Sequence, residues 1–436
     1  MASPKRSLLK LDIQSLPGPE TIVRQELNHD IVVLVRENFS SPSVVLSGYI
    51  PGGSYGESVE KAGQADLAVS SLMRGTQWRD FQAIYESIES IGASLTLGTG
   101  RHTTSFFGKS LAEDLDHLLK LLAEVLRFPS FPDEQVERLR GEKLTGLALR
   151  DQNTSARAQL AFSELAYQNH PYSVPTDGFP DSVKDLSIQD LEDYHTTKIG
   201  PKGMVIAIVG AVQSKNAIKI LEDHFSTWEN SDQQSLPDVA AMEKPKELVR
   251  KEVALEGKVQ SDLIIGTPGP SRFDLDYLAA ALGNNILGRF GLFGRIGDRV
   301  RESAGLAYYA YSSLSGGPGP GAWQVVSGVN PMNVDRAVDL IRDEILKFST
   351  KRVTSDELID NQANFIGRLP LQLETNEGVA GALIHLERYQ LGLDYYQKYP
   401  QLITDITRDQ ILNISQRFLD PDHLAIAIAG PELGGS

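Results

Sequence analysis

The chain has 436 residues and a formal net charge of −15, from 42 Lys plus Arg against 57 Asp plus Glu. At roughly 100–200 residues per domain, this length predicts two to four domains, and a hydrophobic share of 41% excludes a disordered or fibrous protein. The acidity argues against a nucleic-acid partner, because binding to phosphates requires a surplus of Lys and Arg. The absence of cysteine excludes disulfides, thiolate metal sites and thiol nucleophiles.

Two further absences concern targeting. No apolar run reaches the roughly 18 residues needed to cross a membrane, and residues 1–18 lack the apolar core of a signal peptide. We therefore expect a cytoplasmic protein with no membrane partner.

The sequence of the first half predicts strands followed by long helices. The expected elements, from Val and Ile enrichment or helical periodicity, are strands at 31–35 and 44–50, helices at 62–73 and 81–91, a hairpin at 95–109, an amphipathic helix at 111–126 and a buried strand at 204–209. This order predicts an α+β fold, an antiparallel-rich sheet with helices packed on one face.

An internal repeat indicates that the fold occurs twice. Residues 202–210 (KGMVIAIVG) are similar to the segment DHLAIAIAG, which lies 220 positions later. The amphipathic run after residue 114 is similar to a run that starts at Val334. The segment Pro132-Asp133-Glu134 is similar to Ser355-Asp356-Glu357. The similar offsets predict two homologous domains, with boundaries at 1–230 and 247–436. The polar stretch 231–246 reads as the linker.

The segment 63–76 (GQADLAVSSLMRGT) resembles the opening helix of the pitrilysin and insulinase-like zinc peptidases, the family of mitochondrial processing peptidase. In the family this helix has the pattern G-x-A-H-x-x-E-H-x-L-x-x-G-T. Without a gap, five scaffold positions match: Gly63, Ala65, Leu72, Gly75 and Thr76.

The zinc-site positions do not match. The resemblance places the two histidine ligands on Asp66 and Ser70, the glutamate that activates water on Val69, and the third ligand on Gly146. Valine cannot act as a base and serine is a poor zinc ligand. The resemblance therefore implies a degenerate site, no zinc in this chain, and zinc in a partner subunit.

No other metal motif is present. The eight histidines contain no pair closer than 15 residues, which excludes the local H-x-x-x-H, H-x-H and H-x-x-E-H patterns. His170 and His195 lie in a segment that also resembles the family, and we interpret both as capping or packing residues.

The second half contains the remaining family motif, R-E-x-x-G-L-A-Y, at residues 301–308. From the residues alone, we expect a helix end at 296–302, a stop at Gly305 and a strand at 306–312. The resemblance implies that Arg301 and Tyr308 act in trans, holding the substrate backbone and stabilising the oxyanion at the partner's zinc. The alternative is that Arg301 is a helix C-terminal cation and Tyr308 a half-buried strand aromatic.

Neighbouring residues carry weaker expectations. The stretch 315–321 (SGGPGPG) is interpreted as a mobile hairpin tip, with a loop that touches substrate as the alternative. The aromatic residues expected to serve packing are Tyr309, Tyr311, Trp323, Phe365, Tyr395 and Tyr396.

The leading hypothesis is a noncatalytic subunit of a heterodimeric zinc metalloendopeptidase that degrades unfolded peptides together with a homologous zinc-bearing subunit. The alternative is a structural or peptide-binding protein with no catalytic partner, and a homodimer stays open. An independent hydrolase using another metal is disfavoured by the histidine spacing. An intact H-x-x-E-H paralogue encoded next to this gene would favour the leading hypothesis.

Overall fold

The structure of the protein, a computed structural model, describes residues 12–432, with only the backbone at residues 292 and 293. The outer ends of the two predicted domains lie outside this range. The first half has six strands, β1 (Val23–Leu27), β2 (Ile31–Glu37), β3 (Ser43–Pro51), β4 (Ser94–Thr99), β5 (Thr103–Leu111) and β6 (Val205–Gly210). Its helices are α1 (Gln64–Ser71), α2 (Phe81–Glu89), α3 (Leu115–Arg127), α4 (Asp133–Asp151), α5 (Thr154–Ala166), α6 (Pro180–Asp185), α7 (Ile188–Lys198) and α8 (Ser214–Phe225).

The second half repeats this order with five described strands. They are β7 (Val249–Ala254), β8 (Ser261–Pro268), β9 (Ala307–Leu314), β10 (Ala322–Val329) and β11 (Ala425–Gly430). The helices are α9 (Tyr277–Gly288), α10 (Phe290–Ile296), α11 (Val334–Thr350), α12 (Ser355–Gln372), α13 (Asn376–Arg388), α14 (Tyr395–Thr404) and α15 (Arg408–Phe418).

The sheet topology confirms the internal duplication. The strand orders are β1-β2-β6-β3-β5-β4 and β7-β11-β8-β10-β9. In each sheet the closing strand pairs in parallel with one neighbour, β6 with β2 and β11 with β7, and the other pairs are antiparallel. The second sheet therefore repeats the first without β1, and the predicted α+β fold with two homologous domains is confirmed.

Each sheet is covered on both faces. Helices of the same half cover one face, and they form with it the two largest apolar clusters. A helix of the opposite half covers the other face: α13 packs on β3 and β6, and α5 packs on β8 and β11. This exchange explains why β6 and β11 are apolar at nearly every position, since strands buried on both faces lose the alternation of half-exposed strands.

Polar contacts also join each of these two helices to the opposite half. Arg24 of β1 forms a two-bond ion pair with Glu387 of α13, at 2.8 and 2.9 Å. On the other side, Thr154 at the start of α5 donates to the buried carboxylate of Asp262 on β8, and Lys251 of β7 pairs with Glu164. The two halves are thus held by apolar packing and by directional bonds.

The start of the amphipathic helix differs from the expectation. The amphipathic helix was expected from residue 111, but Leu111 ends β5 and α3 begins at Leu115 after a 3₁₀ turn. The apolar residue at 111 belongs to a strand, so its fit to the helical period is coincidental. No helix of the described residues has the length and apolar character to cross a membrane.

Candidate functional site

The opening helix α1 keeps its scaffold for packing reasons. Gly63, its N-cap, has φ +92°, where a side chain is strained, and a Cβ there would lie 2.9 Å from Val183. A Cβ at Gly75 would lie 2.7 Å from Pro132. Thr76 donates to the buried carboxylate of Glu124 at 2.6 Å. These positions match the family motif because the packing of the helix requires these residues, independently of any catalytic role of the helix.

The four zinc-site positions do not form a metal site. Asp66 forms an ion pair with Lys143 of α4, so an ammonium already neutralises the one carboxylate. Val69 is 1% exposed and lies in the core of the first half. Ser70 is half-buried, and Gly146 is exposed with open space beside it. Within residues 12–432 no group of three His, Asp or Glu residues is placed to hold a metal, and this donor set does not fit zinc.

A carboxylate that the sequence analysis missed caps this helix. Glu57 accepts the backbone N–H of Gly63 at 3.0 Å and that of Ala65 at 2.6 Å. Burial raises its pKa from 4.5 to about 7, with a smaller contribution from Asp66, while the two N–H donors and Arg101 act in the opposite direction. The available signal was an acidic residue shortly before a helix N-terminus.

Arg301 lies in the connection between α10 and β9. After α10 the chain forms a π-helical segment, Gly297–Ser303, and a stop at Gly305, whose φ is +65°. The amide of Gly305 donates to the carbonyl of Arg301 at 3.0 Å, which closes the helix end as expected. Arg301 is half-buried, and its Nε lies 3.5 Å from a carboxylate oxygen of Glu302. A π-helical turn is common at functional sites.

Tyr308 follows on β9, the edge strand of the second sheet. Gly328 pairs with Tyr309 while the next residue, Val329, pairs with Ala307, so Tyr308 is the extra residue of a β-bulge. It is 69% exposed, which argues against a half-buried packing aromatic. Bulges redirect side chains beside active sites, and this one turns a phenol outward a few residues after Arg301. The functional role of the pair stays a prediction.

The neighbouring tyrosines pack as expected. Tyr309 and Tyr311 are half-buried against the cluster beneath α5, with ring centroids 6.0 Å apart. The hydroxyl of Tyr309 donates to Asp262, which also accepts from Gln260 at 2.8 Å. The remaining aromatic residues expected to serve packing are buried or half-buried: Trp323, Phe365, Tyr395 and Tyr396.

The loop 315–321 joins β9 and β10 as a hairpin connection, as expected, but it is not a free tip. Its residue Gly317 accepts the amide of Arg272 at 2.9 Å. A Cβ at Gly316 would lie 2.4 Å from the hydroxyl of Tyr277, and a Cβ at Gly319 would lie 2.3 Å from that of Tyr172. The loop therefore contacts both halves.

The two histidines of interest have structural partners. His170 accepts the amide of Tyr172 through Nδ1 at 3.1 Å, and so caps a 3₁₀ turn. Nε2 of His195 lies 2.8 Å from the carbonyl of Leu126. Burial lowers the pKa of both rings. Both side chains serve capping and packing, as expected.

Two family models match adjacent parts of the chain. The model for insulinase (peptidase family M16) matches residues 32–178, and the model for the peptidase M16 inactive domain matches residues 185–365. The chain belongs to the insulinase (M16) peptidase family. It is a peptidase-like member, and its match to the inactive-domain model runs from the end of the first half into the second.

The relatives include proteins named as zinc proteases and a subunit of the cytochrome b-c1 complex. An uncharacterized zinc protease of Mycobacterium leprae is 25% identical over 397 residues, covering 89% of this chain and 87% of the relative. The mitochondrial cytochrome b-c1 complex subunit 1 of Bos taurus is 27% identical over 277 residues, which cover 62% of this chain and 56% of the relative.

Solved structures show the same fold. A peptidase M16 inactive domain from Pseudomonas fluorescens has a TM-score of 0.87 at 25% identity and covers 95% of this chain and 99% of its own. A protease from Helicobacter pylori has a TM-score of 0.88 at 19% identity, covering 95% and 100%.

Proposed function

We propose that this chain is the noncatalytic subunit of a heterodimeric zinc metalloendopeptidase, paired with a homologous subunit that carries the zinc. Arg301 and Tyr308 would contribute substrate contacts and oxyanion stabilisation for the cleavage of unfolded peptides. The observation that carries the proposal is the exposure of Tyr308 at a bulge of an edge strand. A phenol with only a packing role would be expected to be covered by the fold.

The chemistry of the pair suits this role. A guanidinium offers five N–H donors and a permanent positive charge, and a phenol offers one O–H donor. Donors aimed at the carbonyl oxygen of a scissile peptide stabilise the negative charge that develops there. The partner's zinc would supply the activated water. This chain would hold the substrate backbone and stabilise the oxyanion.

The second candidate is a structural or peptide-binding protein with no catalytic partner. The relative in the bovine cytochrome b-c1 complex favours it. In this case Arg301 would be a helix-end cation and Tyr308 a surface aromatic, with no influence on any peptidase. A homodimer of this chain would have two sets of replaced metal-site positions, and we expect it not to cleave peptides.

The test uses the pair formed with a zinc-bearing paralogue, ideally one encoded beside this gene. Arg301→Ala and Tyr308→Phe are each expected to lower turnover of an unfolded peptide by roughly 10²–10³-fold, with little change in the thermal midpoint or in assembly. The matched controls are Arg336→Ala on α11 and Tyr85→Phe on α2, both exposed. Neither control is expected to change turnover.

Unchanged turnover with Arg301→Ala and Tyr308→Phe would contradict the proposal. A shifted thermal midpoint in the same variants would then favour the structural candidate. Chelator-sensitive cleavage by a preparation that mass spectrometry shows to contain this chain alone would also contradict it. Failure of any zinc-bearing homologue to co-purify from the native source would favour the second candidate.

A further inference from the structure

The two halves meet around a cavity of about 400 Å³. The turn after β4, the end of α5, the end of α13 and the loop 315–321 form its wall. Two arginines, Arg101 and Arg388, line it, together with His102, Tyr172 and Tyr389. No Asp or Glu is among its described lining residues. This volume lies in the range of small-molecule sites.

The positive charge at this cavity has no ionic partner within the described residues. Arg101 and Arg388 form no ion pair with a carboxylate there, and neither does Arg272, whose Nη2 contacts Nε2 of His385 and whose guanidinium lies against the ring of Tyr389 in an adjoining pocket. Glu57 acts on Arg101 only at longer range. In a chain with 57 acidic and 42 basic residues, three neighbouring arginines without ion pairs are unexpected, because half-buried charges are normally compensated.

The contacts that these arginines do make leave donors available. Arg101 donates through Nη1 to the carbonyls of Pro171 and Val174, at 2.9 and 3.0 Å. Arg388 makes ring contacts alone among its described neighbours, with its guanidinium carbon 5.7 Å from the ring centroid of Tyr389. Ring contacts offset part of the charge but accept no conventional hydrogen bond. The guanidinium of Arg388 therefore keeps its N–H groups for a ligand.

The remaining wall also favours an anion. His102 lies 2.6 Å from the hydroxyl of Tyr172, and burial together with Arg388 and Arg101 lowers its pKa to about 4, so this ring is a neutral hydrogen-bonding group. In the loop, the amides of Gly316 and Gly317 have no acceptor among the described residues. Free backbone N–H groups beside arginines form anion-binding surfaces.

We propose that this cavity binds a compact oxyanion, a phosphate or a carboxylate group, held by Arg388 and Arg101 with the loop amides. The ligand would supply the missing negative charge and bridge the two halves. This site uses neither Arg301 nor Tyr308 and requires no partner subunit. It therefore stands independently of the proposed function.

The test is calorimetric titration of the isolated full chain at constant ionic strength, with chloride as the background anion. The probes are inorganic phosphate, trialanine with a free carboxylate, and trialanine amide. We expect one saturable site per chain, weakened at least tenfold by Arg388→Gln. The control Arg336→Gln, an exposed arginine of α11 without a described ion pair, is expected to bind as the unmodified chain does.

A second pair of variants keeps the test decisive if Arg388→Gln unfolds the chain. A Cβ at Gly317 meets no atom within 4 Å, so Gly317→Asp and Gly317→Asn should both fold. The aspartate places a carboxylate at the cavity and is expected to abolish anion binding, while the asparagine of the same shape retains it.

The probes also distinguish the source of the oxyanion. Binding of phosphate alone identifies a phosphate site, and binding of trialanine but not its amide identifies a peptide carboxylate. Either result, with loss on Gly317→Asp, supports the proposal. No binding of either anion, equal binding of the amide, or equal binding by the Asp and Asn variants would overturn it. None of these measurements depends on a peptidase partner.

Discussion

Glu57 is expected to make the folded first half less stable as the pH rises. Its carboxyl is buried beneath the N-terminus of α1, and its pKa rises from 4.5 to about 7 on folding. Between these two values the folded chain holds a proton that the unfolded chain has released. Stability from this group is therefore complete below about pH 4.5 and is lost as the pH rises through 7.

The magnitude follows from the size of the shift. One pKa unit corresponds to about 1.4 kcal/mol, so the shift at Glu57 is worth on the order of 3 kcal/mol. For a half of this size, a loss of 1 kcal/mol lowers the thermal midpoint by roughly 2–4 °C. Because part of the titration lies below pH 5, about 2.5 kcal/mol is lost between pH 5 and pH 8, and the expected decline is about 5–10 °C from this one carboxyl.

Other groups titrate in the same pH range, so the effect of Glu57 is measured as the difference in thermal midpoint between the unmodified chain and a variant without this carboxyl. His102 and His385 have pKa values lowered to about 4, and their contribution has the opposite sign, because stability is lost as the pH falls below 6.5. The Glu57→Gln variant removes the carboxyl and leaves these histidines. It also replaces one of the two carboxylate oxygens with an NH₂ group, so one of the amides of Gly63 and Ala65 loses its acceptor, at a cost of about 1–3 kcal/mol that does not depend on pH.

The assay is thermal unfolding of the unmodified chain and of Glu57→Gln from pH 5 to pH 8. The midpoint difference, unmodified minus variant, should decrease steadily with pH. The exposed neighbour Glu60 provides the control Glu60→Gln, for which the difference should stay flat. A difference for Glu57→Gln that increases with pH would refute the reasoning, because it would show that the cap favours the ionised carboxylate.

Two further predictions concern metal binding and the interface. The isolated chain is expected to hold no stoichiometric zinc after dialysis, since Asp66 is the one ligand left where zinc needs about three; one tightly held zinc per chain, lost on Asp66→Ala, would contradict this. Phe162→Ala on α5 is expected to cost about 3–5 kcal/mol and Leu383→Ala on α13 about 2–5 kcal/mol, because both fully buried side chains pack on the opposite half's sheet. Denaturant unfolding measures the loss, and the exposed Leu149→Ala should change stability by less than about 0.5 kcal/mol.

The duplication was readable from local sequence because its signals are local. The runs that predicted it became β6 and β11, then α3 and α11, then the starts of α4 and α12. Each pair has a short pattern of apolar residues or a helix start that survives in both halves. Gly305 was readable for the same reason, since a helix stop at positive φ favours glycine.

The replacement of the metal-site positions stays a prediction that rests on the sequence alone. The resemblance assigns Asp66, Val69, Ser70 and Gly146 to the zinc-site positions of the family. The ion pair of Asp66 with Lys143 was not predicted, because it joins residues of two helices. The role of Glu57 was missed because a loop separates it from the helix N-terminus whose amides donate to it. The fold sets the position of that N-terminus.

The sequence by itself determined the family, the α+β class and the duplication, all of which depend on residue type at fixed spacing. The tertiary structure decided which surfaces the halves share: α5 and α13 each cover the other half's sheet, a bulge exposes Tyr308, and Arg101 meets Arg388 at one cavity. These features bring together residues far apart in the chain, such as Arg24 and Glu387, which are 363 positions apart. Such contacts arise from the packing of the two sheets, and no local pattern in the chain encodes them.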